Sequence, residues 1–425
     1  MLHIGHFVNT FPCLSQTFIL NQITGLLDRG HHLHIYAKKG EESPIRHTDV
    51  KQYDLISNTV YFKDNQIKVP GNILLRYIKG LRVFWGLFIN NPKVALRAIS
   101  IKKFGISALS LAVLYRAASF AKISFPDFSI IHAHFGPNGN LAVLLRELGI
   151  IRGKIVTTFY GYDVTRAPKR YGRDMYKKLF SDGDLFLVLS SAMKKQLIEL
   201  GCDPAKIKIH HLGIDTKKFA FHTPRFNGQR DMKLITVGRL VEKKGIEYAI
   251  RAVAEILALY PHVRYTIIGD GPLKNKLESI IRENGISEAV DLLGPKDQND
   301  IRKYLSESDV FLAPSVTAED GDTEGTPTVL MEAQALGLPV VSTIHSGIPE
   351  VVEDGITGYL APERDVEALA DRIEKLIYNS NLRRKMGKKG RRKIEKEFDI
   401  NVLNARLEKV FKDLCEGHEE AINYV

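Results

Sequence analysis

The apolar and polar positions of this chain alternate twice between short buried runs and amphipathic stretches. Apolar runs at residues 2–8 and 33–37 flank residues 16–28, whose apolar side chains recur at helical spacing, and this order is typical of a βαβ unit. The same order continues to about residue 210 and begins again with the apolar run Met232–Val237. The pattern therefore predicts an α/β protein with two doubly wound domains that face a cleft.

A polar segment separates the two halves and sets the expected domain limits. Residues 216–231 carry Pro, Gly and several charged side chains, which is typical of a linker. We therefore expect a first domain over residues 1–215 and a second domain over residues 232–398. Residues 399–416 have the periodicity of one more helix.

Residues 64–125 form the least regular part of the chain. Two helical patterns, at 70–90 and 94–123, combine aromatic and aliphatic residues with Lys and Arg, and residues 51–150 hold 13 basic and 4 acidic side chains. One interpretation is a basic amphipathic surface that lies on an anionic membrane. The other is a pair of ordinary helices that cover a sheet. Because the charge bias and the aromatic content coincide, the membrane interpretation is favoured.

Charge is divided unevenly along the chain. Residues 1–213 hold 29 basic and 14 acidic side chains, a net charge of +15, whereas the remainder holds 31 and 35, a net charge of −4. Such an excess indicates an anionic partner for the first half. The chain has no RNP-like, zinc-finger or helix-turn-helix pattern, so a phosphate-rich lipid or a lipid-diphosphate acceptor is favoured over nucleic acid.

The cysteines and the amino-terminal pattern indicate the compartment. The odd number and wide spacing of Cys13, Cys202 and Cys415 argue against a disulfide framework and favour a reducing environment. Residues 1–18 have the pattern of a first strand and not of a signal peptide, and no apolar run is long enough to span a membrane. A cytoplasmic protein is therefore expected.

The candidate chemistry concentrates around Glu324. Apolar residues at helical spacing follow Gly325, so a helix is expected to begin near Thr326–Pro327 and to end at Gly337. The free N–H groups at such a helix N-terminus suit a phosphate. Glu324 stands at the start of this helix and Glu332 follows about two turns later. Two carboxylates in these places favour hydroxyl-rich partners, such as a sugar and a ribose.

A cationic loop and an acidic loop accompany this helix. Arg239 and Lys244 stand between a predicted strand and a predicted helix, where a guanidinium and an ammonium can hold a diphosphate. The alternative is a pair of ordinary surface cations. The spacing of the acidic segment 318–323 matches no EF-hand, so this segment is expected to be a mobile lid over the ligand and not a cation site.

The same residues carry a family resemblance. Glu324 and Glu332 are separated by seven residues, with Gly-x-Pro after the first and Gly-x-Pro-Val-Val after the second. Further blocks follow in order: Gly238–Gly245, Ile268–Pro272, Ala313–Ser315, Gly347–Glu350 and Gly355–Gly358. Together they resemble the family 4 retaining glycosyltransferases, whose two Rossmann-like domains form the GT-B fold. The segment Phe11–Phe18 resembles a subgroup that builds exopolysaccharides of the colanic-acid type.

The resemblance implies transfer of a sugar from a nucleoside diphosphate to a hydroxyl, with retention at the anomeric carbon and without a metal or other cofactor. It implies a catalytic set of Arg239, Lys244 and Glu324, in which the cations stabilise the leaving diphosphate and the carboxylate positions the donor sugar. Glu332 would hold the ribose hydroxyls. Residues 399–425 are expected to cross back onto the first domain. The start of the helix would complete the donor site with Gly325, Thr326, Pro327 and Thr328.

In the first domain, the segment Tyr160–Asp163 occupies the place of the His-Gly-x-Asp sequence that many family members carry near the reacting sugar carbon. Gly161 and Asp163 match, whereas Tyr160 is a poor base at neutral pH, so the resemblance does not extend to proton acceptance. An alternative for Asp163 is to cap the following segment. His132 and His134 share a strand face, and a polar lining of the cleft by His134 is favoured over a metal site.

The expected acceptor, inferred from charge, is a glycan or a lipid-linked oligosaccharide on the inner face of the plasma membrane, within bacterial surface polysaccharide assembly. Two rival functions stay open. One is a nucleotide-sugar epimerase or a phosphorylase on the same architecture, and the other is a non-catalytic, membrane-associated assembly partner. The intact set of Arg239, Lys244 and the two glutamates argues against the non-catalytic alternative.

Overall fold

The computed structural model describes residues 1–13, 16–40, 48–62, 67–221 and 231–417, and these residues form two parallel sheets. The strands of the first sheet are β1 (His3–Thr10), β2 (His32–Lys39), β3 (Thr59–Tyr61), β4 (Ile130–His134), β5 (Lys154–Thr158), β6 (Leu185–Val188) and β7 (Ile207–Ile209). Their order in the sheet is β3-β2-β1-β4-β5-β6-β7.

Helices connect these strands and cover both faces of the sheet. They are α1 (Thr17–Leu27), α2 (Thr48–Gln52), α3 (Ile73–Asn90), α4 (Pro92–Ala98), α5 (Ile101–Phe104), α6 (Ile106–Leu109), α7 (Ala112–Phe120), α8 (Gly136–Leu148), α9 (Tyr162–Tyr171), α10 (Lys177–Asp182) and α11 (Ser191–Glu199). Along β1, Ile4 and Val8 pack in the same apolar cluster as α1, whereas Phe7 packs in the cluster of α8. This division follows from the two-residue period of a strand.

The second sheet has six strands: β8 (Met232–Val237), β9 (Val263–Ile268), β10 (Val290–Leu292), β11 (Val310–Ala313), β12 (Val340–Thr343) and β13 (Gly358–Ala361). Their order is β10-β9-β8-β11-β12-β13. The helices of this half are α12 (Ile246–Leu259), α13 (Lys274–Glu283), α14 (Gln298–Ser306), α15 (Thr328–Leu336), α16 (Ile348–Val351), α17 (Val366–Tyr378) and α18 (Ser380–Lys393).

The strand order reverses between β1 and β4 in the first sheet and between β8 and β11 in the second. Ligands of open α/β sheets bind beyond the carboxyl ends of the strands at such reversals. The predicted fold of two doubly wound domains is confirmed. The predicted site residues lie at the carboxyl ends of these strands or of their neighbours, or in the loops and helices that follow them.

The last helix, α19 (Ile400–Glu416), crosses back onto the first domain, as expected. Leu407 and Phe411 pack in the apolar cluster of β1 and α1. The Asn404 side-chain amide donates to the Asn21 carbonyl at 3.1 Å. The domain limits stay a prediction, because residues 222–230 of the expected linker lie outside the described residues.

One prediction about local structure was wrong, and two strands were missed. The helical pattern over 94–123 forms four short helices, α4 to α7, because Ser100 is extended at ψ 101°, Gly105 has φ +52° and Leu111 is left-handed at φ +55°. None of these conformations continues a helix. The short strands β3 and β13 were not predicted, and both are edge strands whose signal is only three or four residues long. Among the described residues, no helix has the length and apolar character needed to cross a membrane.

Candidate active site

The loop after β11 brings Glu324 against the loop after β8. Glu324 Oε2 lies 3.0 Å from Lys244 Nζ, and Oε1 lies 3.5 Å from Lys243 Nζ. Glu324 is 8% exposed. Burial acts to raise the pKa of this carboxyl, but the two ammonium groups outweigh it and hold the pKa below its ordinary value. Glu324 is therefore an ionised carboxylate shared by two lysines.

Lys243 was not singled out by the sequence, although it is central to this arrangement. Its Nζ also lies 3.3 Å from Asp322 Oδ1 and donates to the Thr323 carbonyl at 3.2 Å. The side chain thus links the acidic loop to the carboxylate of Glu324. The signal in the sequence that could have identified Lys243 was the combination of two adjacent lysines with the acidic segment 318–323.

Arg239 differs from the two lysines because its guanidinium has no partner among the described residues. The side chain is exposed, and it forms no hydrogen bond or ion pair with that part of the chain. An unpaired guanidinium in the loop after β8 is available to a ligand anion. This arrangement fits the expected diphosphate contact better than it fits a cation of a surface ion-pair network.

The helix after Glu324 begins and ends where the sequence predicted. α15 starts at Thr328, with Pro327 before it, and ends at Gly337 in the left-handed conformation, φ +92°. Within the described part of the chain, the amides of Gly325, Thr326 and Thr328 donate no hydrogen bond. The Thr326 hydroxyl is also buried without a partner. These donors suit an anion at the start of the helix.

Glu332 lies in the second turn of α15 and is half-buried. Its carboxylate makes no hydrogen bond or ion pair with another described residue. Burial raises the pKa of this carboxyl to about 7, although Arg302 acts in the opposite direction. A carboxylate that lacks a protein donor suits the two hydroxyls of a ribose, and donation by them would favour the ionised form.

The opposite side of the cleft is formed by the loop after β5. A Cβ atom added to Gly325 would lie 3.2 Å from the Tyr160 carbonyl oxygen, so the loops of the two domains meet here. Asp163 is 1% exposed and accepts hydrogen bonds from the amides of Tyr160 and Gly161, at 2.9 and 3.0 Å, and of Gly136, at 3.1 Å. Asp163 therefore joins the loops after β4 and β5, and its predicted contact with substrate stays a prediction.

Tyr160 is connected to a buried histidine chain. Its hydroxyl lies 2.7 Å from His134 Nδ1, and His134 Nε2 lies 3.0 Å from His6 Nδ1. Burial raises the pKa of Tyr160 well above its ordinary value, lowers that of His134 and lowers that of His6 to about 3. The three hydrogen-bonded side chains of Tyr160, His134 and His6 are therefore all uncharged. Contrary to expectation, His134 is fully buried behind Tyr160 and does not line the cleft surface.

His6 completes a three-histidine cluster that sequence spacing did not show. Ring nitrogens of His6, His132 and His134 lie within 4.8 Å of one another. His6 stands opposite His132 in the parallel pairing of β1 with β4, more than a hundred residues away along the chain. The His132 Nε2 atom lies 2.8 Å from the Thr158 hydroxyl, whereas His6 Nε2 and His132 Nδ1 are buried without a hydrogen-bond partner among the described residues.

The acidic loop over residues 318–323 contacts both domains. Arg166 of α9 pairs with Asp320 at 2.9 Å and with Asp322 at 3.9 Å, while Lys243 holds Asp322 from the second domain. The sequence did not indicate the role of Arg166, because nothing in its neighbourhood shows that α9 faces this loop. The expected mobility of the loop stays a prediction.

Two family models match this chain in succession. The model described as Glycosyltransferase Family 4 matches residues 15–218, and the model described as Glycosyl transferases group 1 matches residues 220–393. The chain belongs to the family 4 glycosyltransferases. The sequence resemblance is thereby confirmed, and it extends over both domains.

Curated relatives support the same assignment. The chain is 35% identical to the protein of Escherichia coli strain K12 that is named as a colanic acid biosynthesis glycosyltransferase, WcaL, over 97% of this chain and 100% of the relative. It is also 35% identical to the amylovoran biosynthesis glycosyltransferase AmsK of Erwinia amylovora, again over 97% of this chain and 100% of the relative.

Solved structures share the fold at low sequence identity. Anabaena HepE in complex with UDP is 15% identical, with a TM-score of 0.68 over 97% of this chain and 100% of that chain. Sucrose-phosphate synthase from Thermosynechococcus elongatus is 19% identical, with a TM-score of 0.69 over 98% of this chain and 100% of that chain. The fold is therefore GT-B. These comparisons do not support the rival functions for this glycosyltransferase, namely an epimerase, a phosphorylase or a non-catalytic partner.

Proposed function

We propose that this chain is a retaining, metal-independent glycosyltransferase that moves a sugar from a nucleoside diphosphate to a hydroxyl of a glycan or lipid-linked oligosaccharide. The proposed setting is bacterial exopolysaccharide biosynthesis, as the names of the WcaL and AmsK relatives state for those proteins. The observation that carries the proposal is the buried Glu324 between two lysines, beside unpaired donors at the start of α15.

The donor site follows from which protein groups lack partners. The Arg239 guanidinium and the amides before α15, which have no partner among the described residues, would stabilise the charge that a diphosphate develops as the bond to the sugar breaks. Lys244 would exchange part of its contact with Glu324 for the diphosphate. Together these groups supply the positive charge that a metal ion supplies in other transferases, so the proposed reaction requires none. Glu332 would accept hydrogen bonds from the ribose.

In the transfer step, the bond from the anomeric carbon to the diphosphate oxygen breaks, and a bond to the acceptor oxygen forms on the same face. The diphosphate leaves with the electron pair of the broken bond, and one of its oxygens takes the proton that the acceptor hydroxyl loses. Both oxygens of Glu324 already face lysines, so we assign this carboxylate to positioning the sugar. Tyr160 would act as a neutral hydrogen-bonding group, because burial holds it protonated.

The first test is thermal stabilisation by a panel of UDP- and GDP-sugars, with Arg239→Ala as the control. Ligand at about a hundred times its dissociation constant adds about 2.7 kcal/mol of stability, which is readily measured. We expect one nucleotide class to stabilise the parent protein and to lose most of that effect in Arg239→Ala. The same shift with and without EDTA would support metal independence. No stabilisation by any donor would contradict the proposed function.

The first domain also supports a membrane-associated acceptor. The surface formed by α3 to α6, here called the α3 surface, exposes large apolar side chains, among them Leu81 at 64%, Trp85 at 58%, Ile89 at 77% and Ile106 at 83%. Lys79, Arg82, Lys102 and Lys103 are exposed on the same helices. Apolar side chains among cations suit the interface of an anionic membrane. We therefore propose peripheral attachment to the inner face of the plasma membrane.

Trp85 is the single tryptophan of the chain, so its fluorescence reports on this surface alone. We expect a blue shift with vesicles that contain phosphatidylglycerol and little change with phosphatidylcholine alone. Leu81→Glu should abolish vesicle binding. Leu259→Glu is the matched control, because Leu259 is 68% exposed on α12 of the second domain. Equal binding by the two variants would contradict the membrane proposal, and a dimer lost in Leu81→Glu would assign the surface to a second copy of the chain.

A further inference from the structure

His345 lies directly behind Glu324, on the loop between β12 and α16, and is 2% exposed. Its Nε2 lies 3.0 Å from the backbone nitrogen of Glu324, and its Nδ1 lies 2.6 Å from Glu363 Oε1. We infer that His345 is a positioning residue, which holds the backbone of Glu324 so that the carboxylate is placed for sugar transfer. The inference rests on the function proposed above for Glu324.

The two hydrogen bonds determine the tautomer of His345. The backbone amide of Glu324 can only donate, so Nε2 is the acceptor and carries no proton. The proton of the neutral ring is then on Nδ1, which donates it to Glu363. The His345 ring thus serves as an acceptor towards the site and as a donor towards the interior of the second domain.

Glu363 is fixed as the acceptor for this proton. Its Oε2 accepts from the Thr317 amide at 2.8 Å. Burial acts to raise the pKa of Glu363, but the bonds from Thr317 and His345 outweigh it, so the pKa lies below its ordinary value. An ionised carboxylate that is itself held by the backbone at the base of the acidic loop orients the His345 ring.

The contact of buried His345 with the Glu324 amide is important for the position of Glu324, because the carboxylate itself is held by long, flexible lysine side chains. The carboxylate is held by Lys244 and Lys243, and both would be drawn towards a bound diphosphate. The backbone is held at two points, by His345 at the Glu324 amide and by the Gly347 amide, which donates to the Gly325 carbonyl at 3.2 Å. A displacement of about 1 Å at a catalytic group can cost about a hundredfold in rate. His345 therefore keeps Glu324 in place when the lysines move.

A pair of substitutions separates this function from simple support of the loop. A Gln side chain reaches the position of histidine Nε2, whereas an Asn side chain ends near the position of Nδ1. His345→Gln keeps an acceptor for the Glu324 amide and loses the donor to Glu363. His345→Asn keeps the donor and loses the acceptor. The inference predicts that the Gln variant is the more active of the two.

The chain also offers a matched control remote from the cleft. His31 is 4% exposed, its Nδ1 accepts from the Leu2 amide at 3.1 Å, and its Nε2 lies 3.4 Å from Glu408. It thus repeats the amide–histidine–glutamate arrangement, with the two ring nitrogens exchanged, where α19 packs on the first domain. His31→Gln is the matched change, because its side chain ends near the position of Nε2 and leaves the Leu2 amide without its acceptor. It should lower the melting temperature without lowering kcat while the protein is folded.

The experiment uses the nucleotide sugar that stabilises the parent protein in the thermal assay. It measures the release of nucleoside diphosphate from that donor, the binding of the free nucleoside diphosphate, and the thermal stability of each variant. For His345→Asn we expect kcat to fall at least about tenfold, with nucleoside diphosphate binding within about twofold of the parent. His345→Gln should recover kcat to within about threefold. If His345→Asn does not fold, a folded His345→Gln variant that has lost kcat overturns the inference.

Three other results would also overturn it: a His345→Asn variant as active as the parent, a His345→Asn variant more active than His345→Gln, or a loss of kcat in His31→Gln equal to that in His345→Asn. Failure of the proposed function is distinguishable from these. A fully active Glu324→Gln variant would remove the function proposed for Glu324 itself. An inactive Glu324→Gln beside a fully active His345→Asn would remove only the inference.

Discussion

The two sides of the cleft hold their polar groups in opposite ways. On the second domain, Glu324 is ionised between lysines, and the Arg239 guanidinium has no partner in the part of the chain that the structure describes. On the first domain, Tyr160, His134 and His6 form a buried chain in which each group is neutral. Glu324 and the Tyr160–His134–His6 chain are both largely buried, yet only Glu324 is charged. The difference in charge corresponds to a difference in the chemistry that each side faces.

A leaving diphosphate develops negative charge, and fixed cations stabilise it most strongly where water is excluded. The sugar and the acceptor hydroxyl carry no full charge in their ground state, so neutral donors and acceptors can orient them without a large desolvation cost. We therefore expect charge changes on the second-domain side to have large effects and changes on the first-domain side to have smaller ones. The predictions below test that order.

Glu324→Gln should have the largest effect, because it removes the carboxylate charge and keeps the shape. Transfer is expected to fall by about a hundredfold to a thousandfold. Free nucleoside diphosphate should bind at least as tightly as before, since Lys244 and Lys243 lose their competing anion. Enzyme kinetics and calorimetry on the same preparation measure both. Weaker nucleoside diphosphate binding would show that the carboxylate supports the diphosphate site.

The pH dependence of donor binding should report on Glu332. Its pKa of about 7 in the free protein means that the carboxyl is mostly neutral at pH 6 and mostly ionised at pH 8. Ribose hydroxyls donate to the ionised form, so donor affinity should rise by about tenfold between these pH values. A nucleotide sugar is the suitable probe, because it lacks the phosphate monoester that titrates in the same range.

Glu332→Gln is the control for that measurement, and donor affinity in this variant should change little between pH 6 and pH 8. The stability of the free protein should change with pH in the opposite direction to donor affinity. A carboxyl with a raised folded-state pKa makes the native protein bind more protons than the unfolded chain, so its stability contribution is lost as pH rises towards 7. A donor affinity that is independent of pH in the parent protein would contradict the contact between Glu332 and the ribose.

Tyr160→Phe should have a moderate effect, because it removes one neutral hydrogen bond. A loss of about threefold to tenfold in kcat/KM is expected, which corresponds to about 0.5–1.5 kcal/mol. The pH profile should not change, since neither Tyr160 nor His134 titrates near neutral pH. A loss above a hundredfold, or a new pH dependence, would mean that the first-domain side takes part in proton transfer.

Arg166→Ala should have the smallest effect, of about twofold on the KM for donor. Its ion pairs to Asp320 and Asp322 cross the cleft. The pair with Asp320 is exposed and the pair with Asp322 is long, at 3.9 Å, so both contribute little. The loss should shrink further at high salt. Arg170→Ala on the same helix is the control, because it forms no ion pair with another described residue. Equal effects in both variants would exclude a specific latch between the loop and α9.

Much of the second-domain side was predictable because its signals are local. Glu324, Lys244 and Arg239 lie in loops beside strands whose apolar runs are unambiguous, and α15 begins and ends at residues with strong boundary preferences. The first-domain side was less predictable. His6 and His134 are brought together by the pairing of β1 with β4, and no sequence spacing shows that pairing.

Taken alone, the sequence determined the two doubly wound domains, the helix at Glu324 and the candidate charges, because strand periodicity, helix boundaries and family motifs are encoded by neighbouring residues. Only the tertiary structure decided that Lys243 and Lys244 share Glu324, that His134 lies behind Tyr160, and that His345 holds the Glu324 backbone. These contacts join residues from different loops, and their partners are selected by sheet order and domain packing, which local sequence does not encode.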